Sequence, residues 1–167
     1  MPGTISSTRH RRKFLKKPQW SIDDLYIPPF VSKRVFDERG IIHYVKIDRN
    51  TSPSGVRVMD HFLLRMSAGM DRIDMFCKIY GLRTDDIDSM IYIMTGQPGQ
   101  TFRFAYQLRL LDDLLRYTEL PLREVARRSG LGTHTNMCLF LRRQCAQTPT
   151  QRRMQLRQPG DAGLFAV

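Results

Sequence analysis

The chain has 167 residues, of which 41% are hydrophobic, and a net charge of +11 at pH 7; this length suffices for one compact domain with an arm, or for two small helical subdomains, and excludes a large additional ligand-sensing domain. Such a positive charge favours polyanionic partners: DNA, RNA or an anionic membrane surface. No apolar run approaches the roughly 20 residues that cross a bilayer, so we expect a cytoplasmic protein that does not enter a membrane.

Residues 1–19 are predicted to form a basic, flexible arm. Residues 9–17 read RHRRKFLKK, without the periodicity of a helix or strand that buries one face. The cations of this arm are Arg9, Arg11, Arg12, Lys13, Lys16 and Lys17. Such an arm either binds phosphates or is a solvated tail, and both interpretations remain open.

Residues 20–55 are predicted to form an N-terminal extension with a β-hairpin. Two runs rich in β-branched and aromatic residues, 32–36 and 41–47, flank the turn-forming sequence DERG. The sequence PP before these runs and SPSG after them break regular structure and bound the hairpin.

From residue 56 onward the apolar residues recur at helical spacing, and about seven helices are predicted. After a first helix that presents Met59, Phe62 and Met66, two short helices separated by Gly81 form a helix-turn-helix unit over residues 71–96. A long apolar face over residues 100–117 indicates a linker helix. A second unit, with Gly130 at its turn, covers residues 121–146.

The predicted fold class is therefore mainly α. Two helix-turn-helix subdomains joined by a long linker helix occupy residues 56–157, the arm and the hairpin precede them, and residues 158–167 form a C-terminal tail. A linker of about 18 residues spans roughly 27 Å. This length is comparable with the roughly 34 Å between successive major-groove faces of DNA.

An internal repeat relates the two units. Cys77 and Gly81 match Ala126 and Gly130 at an offset of 49. At an offset of 50, the further matches are Ile87 with Met137, Ile91 with Leu141, and Gly96 with Ala146. The second turn is therefore one residue longer. A small residue four places before each turn glycine lets the two helices of a unit approach closely.

These residues resemble the DNA-binding domain of AraC/XylS-type transcription regulators, which has two helix-turn-helix units joined by a long helix. Residues 118–126, TELPLREVA, resemble the family's pattern T, any, L, P or S, I, any, E, I, A. The family's ending, G-F, F, F, T-P and R, is matched in spacing by Gly130-Leu131, Met137, Leu141, Thr148-Pro149 and Arg153. The resemblance implies a nucleoid-associated regulator that binds double-stranded DNA and uses no cofactor.

The sequence departs from the family's pattern at several positions. Gln107 stands where the linker helix often has arginine, and Ser129 replaces an apolar residue before the turn glycine. Ala146 replaces the glycine before the Thr-Pro pair. These departures affect the expected linker contacts and the packing beneath the second turn.

The first unit is acidic where a DNA reader is expected to be neutral or basic. Asp85, Asp86 and Asp88 lie at the start of its second helix, where carboxylates facing phosphates repel. The simpler interpretation is stabilisation of the helix N-terminus, with Thr84 followed by the aspartates. The first unit is then a weak DNA reader, or it binds a protein such as RNA polymerase.

The second unit has the residues expected of a base reader. Asparagine binds adenine through two hydrogen bonds, and threonine and histidine offer single hydrogen bonds or contact with a thymine methyl group. The family resemblance places further positions of the same helix toward the bases, with Leu139 where arginine is common. The predicted base contacts are Thr133, His134, Thr135, Asn136, Cys138 and Leu139. The alternative is that Thr133 caps the helix while His134 and Thr135 are solvated.

Arginines near the second unit are expected to position it on the DNA backbone, since phosphate contacts fix register without distinguishing sequence. The predicted phosphate contacts are Arg123, Arg127, Arg128, Arg142, Arg143, Arg152 and Arg153.

The sequence gives little support for catalysis or metal binding. Its histidines are dispersed, and the neighbouring carboxylates Asp112 and Asp113 diverge by about 100° on a helix. The three cysteines have no CxxC spacing. We therefore expect no enzyme, metal or cofactor. Two functions remain: a sequence-specific regulator that uses mainly the second unit, or an architectural or adaptor protein whose first unit docks on a protein.

Overall fold

The computed structural model describes residues 18–70 and 72–167, so the predicted arm cations at residues 9–17 lie outside the described residues. The described elements, in chain order, are α1 (Ile22–Leu25), β1 (Ser32–Phe36), β2 (Ile42–Lys46), α2 (Arg57–Ser67), α3 (Ile73–Tyr80), α4 (Thr84–Thr95), α5 (Gly99–Tyr117), α6 (Leu122–Arg128), α7 (His134–Cys145), α8 (Pro149–Leu156) and β3 (Phe165–Ala166). The mainly α class is confirmed, as are seven helices after residue 56. Helix α1 and strand β3 were not predicted.

The linker helix α5 lies at the centre of the hydrophobic core. Its 19 residues span roughly 28 Å at 1.5 Å per residue. One face of the helix is fully buried along its length, through Phe102, Tyr106, Leu110, Leu111, Leu114 and Leu115. On the same helix Ala105 is exposed and Leu108 is half buried.

The N-terminal extension packs into this core and is not a separate appendage. Leu25 and Ile27 are fully buried among the helices. The Tyr106 hydroxyl accepts a hydrogen bond from the backbone N–H of Ile27 at 3.1 Å and donates one to the carbonyl of Leu63 at 3.2 Å. This buried hydroxyl therefore joins the extension, α2 and α5, and a phenylalanine there would leave polar groups unpaired.

A second buried polar contact joins the extension to α5. The Tyr26 hydroxyl donates to Asp113 at 2.7 Å, and burial raises the pKa of both side chains. The guanidinium of Arg109 lies 4.5 Å from the centre of the Tyr26 ring and also pairs with Asp23 of α1. Asp113 therefore has Tyr26 as its structural partner, whereas its neighbour Asp112 pairs with Arg152.

The predicted hairpin is present and gains a third strand. Strands β1 and β2 pair antiparallel with Arg34 opposite Tyr44, and the strand order is β2-β1-β3. Residues 158–167, predicted as a tail, return to β1: the N–H of Arg34 donates to Leu164 at 2.8 Å. The Phe165 ring stacks on Phe30 with centroids 4.6 Å apart. A strand of two residues has no periodicity, which is why the sequence did not predict it.

Helix α8 is held against α5 by charged groups. Arg152 forms a bidentate ion pair with Asp112 of α5, and the Arg157 guanidinium donates to the carbonyl of Leu115 at 3.2 Å. In the segment after α8, Asp161 accepts from Arg116 at 2.7 Å. These contacts fix the C-terminal segment on the helix that joins the two units.

Candidate nucleic-acid interface

The turns of the two helix-turn-helix units have the same backbone hydrogen bond. The N–H of Leu82 donates to the carbonyl of Cys77 at 2.8 Å, and the N–H of Leu131 donates to that of Ala126 at 3.0 Å. Gly81 and Gly130 both have positive φ, 64° and 75°, which glycine adopts without steric cost. The internal repeat therefore corresponds to two equivalent turns.

The second turn is supported from two other elements. A Cβ added at Gly130 would lie 2.7 Å from the carbonyl oxygen of Met70, in the α2–α3 loop. The amide of Gln107 on α5 donates to the carbonyl of Gly130 at 3.4 Å. Gln107 thus contacts the turn between α6 and α7.

Helix α7, the second helix of the second unit, buries one face and exposes the other. Met137 and Leu141 are fully buried. The Phe140 ring meets Phe104 of α5 edge to face, with centroids 6.0 Å apart. These contacts lock the rotation of α7, so its exposed side chains have a fixed direction relative to α5.

The predicted base-contact residues lie on the exposed face of α7 and at its start. Thr133 is the N-cap: its hydroxyl accepts from the N–H of Asn136 at 3.1 Å. His134, Thr135 and Asn136 are exposed in the first turn, and Leu139 is 45% exposed one turn later. The half-buried Cys138 sulfur lies 3.7 Å from Nδ1 of His134. The first turn and the next therefore form one continuous surface.

The arginines predicted to contact phosphates fall into three groups. Arg123, Arg142 and Arg143 are exposed and form no ion pair with the described part of the chain. Arg127 and Arg128 both pair with Glu124. These contacts lower the pKa of Glu124 to about 2, and the contact with Arg127 has the larger effect.

The third group is engaged inside the fold. Arg152 pairs with Asp112, as described above, and Arg153 donates to the carbonyl of Leu120 at 2.7 Å. Burial lowers the pKa of Arg153. Both guanidinium groups therefore stabilise the packing of α8.

Comparison with solved structures identifies the arrangement. The C-terminal domain of AraT, a response regulator from Geobacillus stearothermophilus, has a TM-score of 0.52 and 18% identity, over 62% of this chain and 86% of that one. The C-terminal domain of the two-component response regulator YesN from Fusobacterium nucleatum has a TM-score of 0.49 and 18% identity, over 58% of this chain and 94% of that one. The xylose-binding transcription activator XylR has a TM-score of 0.45 and 17% identity, over 70% of this chain and 33% of that one.

The chain has the AraC-type double helix-turn-helix fold. In this AraC-type fold α3 and α4 form the first unit, α5 is the linker, and α6 and α7 form the second unit. No protein-family model and no curated protein matches the chain by sequence. Among the described residues, no helix is long and apolar enough to span a bilayer, and no group of three or more histidine, cysteine, aspartate or glutamate side chains is placed to hold a metal ion.

In the first unit, two of the three acidic residues at the start of α4, Asp86 and Asp88, have structural partners. The N-cap of α4 is Arg83, and Thr84 lies inside the helix, so the expectation that Thr84 caps it was wrong. Asp86 accepts from the N–H of Arg83 at 2.8 Å, which lowers the pKa of Asp86, and Asp88 pairs with Arg103 of α5. The interpretation that aspartates stabilise the helix N-terminus is confirmed for Asp86, and Asp85 stays exposed.

Two features of the candidate interface were missed by sequence reasoning. Glu124 lies three and four residues before the two arginines that it binds, and this spacing is a signal that the sequence does contain. The pairing of Arg152 with Asp112 joins residues 40 apart, and no local pattern could have indicated it.

Proposed function

We propose that this protein is a sequence-specific, DNA-binding transcription regulator that reads the major groove mainly through α7. The observation that supports this most directly is the exposed polar first turn of α7 above a buried face of the same helix. His134, Thr135 and Asn136 lie on that turn, and exposed arginines lie on the next turns. An α-helix fits the major groove of B-DNA, and the N-terminal residues of a recognition helix contact base edges.

The exposed face of α7 suits direct base readout. Asn136 is assigned a bidentate contact with adenine, and His134 and Thr135 single hydrogen bonds. Leu139 is assigned apolar contact with a thymine methyl group. Thr133 and Cys138 are assigned supporting contacts, because the Thr133 hydroxyl already caps the helix and Cys138 is half buried beside His134.

The backbone contacts are assigned mainly to the unpaired arginines. Arg123, Arg142 and Arg143 are free of internal ion pairs in the described part of the chain. Arg127 and Arg128 contribute less, because Glu124 neutralises part of their charge. Arg152 and Arg153 are left out of this assignment, since their guanidinium groups hold α8 in place.

Selection from a randomised duplex pool tests the proposal. Purified protein is incubated with the pool at about 150 mM salt, where non-specific binding is weakened, and bound duplexes are amplified over several rounds. Enrichment of one motif is expected, and its length reports whether one or both units contact bases. Tight binding without enrichment would contradict the sequence-specific role.

A second candidate is an architectural or adaptor protein whose first unit docks on a protein such as RNA polymerase. The observation that favours it is the exposed surface of the first unit, where Asp85 faces solvent and Ile79 and Ile93 are 68% and 65% exposed. Exposed apolar side chains beside carboxylates suit a protein partner better than phosphates. A stoichiometric partner that stays bound after nuclease treatment, and that Ile79→Ser with Ile93→Ser releases, would support this candidate.

A further inference from the structure

The hairpin is the most exposed regular element of the described fold. All five residues of β2 are exposed. Large apolar side chains lie on both faces of the hairpin: Phe36, Ile41, Ile42, Tyr44 and Val45 are each between 52% and 62% exposed. Clustered apolar exposure of this kind is unusual on a monomer and marks interaction surfaces.

One edge of the three-stranded sheet has no neighbour among the described residues. The order β2-β1-β3 places β2 at that edge. Hydrogen bonds at the two ends of the hairpin, from Ile47 to Val31 and from Asp37 to Ile41, direct the odd-numbered residues of β2 toward β1. Because the direction alternates along an antiparallel strand, the N–H and C=O groups of Ile42, Tyr44 and Lys46 point outward. This row of backbone groups can accept another strand.

We propose that β2 pairs antiparallel with β2 of a second copy of this chain, around a two-fold axis at Tyr44. In this register Tyr44 lies opposite the partner's Tyr44, and Ile42 lies opposite the partner's Lys46. The two sheets become one six-stranded sheet, with the edge groups of both copies satisfied. A hairpin with only a two-residue third strand is marginal by itself, and the added strands strengthen it.

The charges along the hairpin favour a second copy in this orientation. The turn residues Asp37, Glu38 and Arg39 sum to −1, and Lys46, Asp48 and Arg49 at the end of β2 sum to +1. Antiparallel pairing places the turn of each copy, with its net charge of −1, near the strand end of the other, with its net charge of +1, and the opposite net charges attract even though Arg39 and the partner's Arg49 are neighbours in this register. A parallel arrangement would instead place Lys46 beside the partner's Lys46, which is destabilising.

The apolar residues on the other face match as well. The same register places Ile41 opposite the partner's Ile47 and His43 opposite the partner's Val45. A shift by one residue would put Tyr44 opposite the partner's Val45, whose N–H and C=O groups point toward β1 of its own copy, so the two residues could not exchange hydrogen bonds. The pairing about Tyr44 is thus compatible with a two-fold interface.

This dimer goes beyond the proposed function and has a consequence for it. Two copies related by a two-fold axis present two α7 helices in opposite orientations along DNA. The preferred duplex is then an inverted repeat of the motif that one copy recognises. Binding of one copy to a single motif does not depend on the dimer, so the two proposals can fail separately.

Sedimentation equilibrium of the full chain, without DNA, tests the interface over a series of protein concentrations. The wild type is expected to approach twice the mass of one chain as concentration rises. Tyr44→Lys and Tyr44→Glu each place like charges at the two-fold axis, and each is expected to weaken association at least tenfold. Mixed in equal amounts, the two variants are expected to recover it, because opposite charges then meet.

Controls separate this outcome from unfolding. Met154→Lys adds the same charge at an exposed apolar residue of α8, outside the hairpin, and is expected to leave association unchanged. Ile42→Lys is a second interface variant, since it places a cation opposite the partner's Lys46. Circular dichroism and binding to a single DNA motif report whether each variant is folded.

Three outcomes would overturn the proposed dimer. The first is a wild-type chain that stays monomeric at every concentration. The second is a dimer that neither Tyr44 variant nor Ile42→Lys weakens. The third is an equal mixture of the two Tyr44 variants that remains monomeric, because the two-fold register requires them to complement each other.

Discussion

Among single residues, Glu124 sets how much positive charge the second unit presents. It accepts hydrogen bonds from Arg127 at 2.6 Å and from Arg128 at 2.8 Å. With its pKa lowered to about 2, the carboxylate stays ionised near neutral pH, and the pairing is lost only as the pH falls through that value. Mild acid therefore cannot release the two arginines, whereas a substitution can.

Glu124→Gln is expected to raise the affinity for DNA several-fold and to steepen its salt dependence. Each additional phosphate contact adds roughly −0.9 to the slope of log affinity against log salt, so the slope is expected to change by up to about −2. Titrations at a series of salt concentrations measure both quantities. Glu119→Gln removes the same charge from an exposed residue without a pairing to these arginines, and an equal effect there would assign the gain to net charge alone.

Substitutions of Thr135 and of Arg142 are expected to have different effects on DNA binding. Thr135→Ala should change the preferred motif at one position, since each good base contact discriminates by about 1–3 kcal/mol. Arg142→Glu should weaken binding to every duplex, because it reverses a charge next to the phosphates. Selection and affinity measurements on both variants separate the two effects. A uniform loss in both would remove Thr135 from the base-reading residues.

For the helical elements, the two turn glycines give a direct comparison. Gly81 and Gly130 both have positive φ, but only a Cβ at Gly130 would overlap a backbone atom, the carbonyl oxygen of Met70. Gly81→Ala is expected to cost about 1 kcal/mol from the left-handed backbone alone. Gly130→Ala is expected to cost about 3 kcal/mol, because overlap is added to the same strain. Urea unfolding of the two variants measures the difference, and equal costs would mean that the α2–α3 loop yields.

Ala146 is the one residue other than glycine with positive φ in the described part of the chain, at 55°. It ends α7 in the left-handed conformation that glycine prefers at this position. Ala146→Gly is therefore expected to stabilise the protein by about 1 kcal/mol. The same substitution at the exposed Ala105, inside α5, is expected to destabilise it by a similar amount. Thermal or urea unfolding checks the opposite signs.

The sequence predicted the helices from Arg57 to Cys145 well, because their apolar residues recur with the period of a buried face. The exposed polar turn of α7 followed from the same reasoning, since Met137 and Leu141 had to face inward. Partners far apart in sequence could not be predicted. From the sequence alone, Arg153 and Arg142 were both predicted to contact phosphates. Only the packing of α8 directs the Arg153 guanidinium toward the carbonyl of Leu120.

For the whole molecule, the distribution of positive charge determines how binding responds to salt. The three unpaired arginines near the second unit correspond to a slope of roughly −3 at most. If the arm also binds phosphates, neutralising Arg11, Arg12 and Lys13 with glutamine should reduce the slope by roughly 2 to 3 without changing the selected motif. The matched control neutralises Arg57, Arg65 and Lys78, which are exposed outside the hairpin. Equal effects of both triple variants would mean that the arm has no special role.

The structure of the N-terminal extension differs from the prediction, which treated residues 20–55 as separate from the helical domain. Its hairpin followed from local composition. Its integration depends on Tyr26 and Ile27, whose contacts with Asp113 and Tyr106 join residues 87 and 79 positions apart. Buried hydrogen bonds over such separations leave no periodic signal. The extension and the double helix-turn-helix therefore share one hydrophobic core in the structure.

Strand β3 has a consequence for the order of folding. Its partner β1 lies more than 120 residues earlier in the chain, since Ser32 pairs with Ala166. Closing so long a loop is entropically costly until the intervening helices are in place. The hairpin can form at once, whereas its second edge remains uncovered until the helical core has assembled. We therefore expect a folding intermediate with both hairpin edges open to carry the greatest risk of aggregation, and residues 158–167 to reduce that risk by covering the β1 edge.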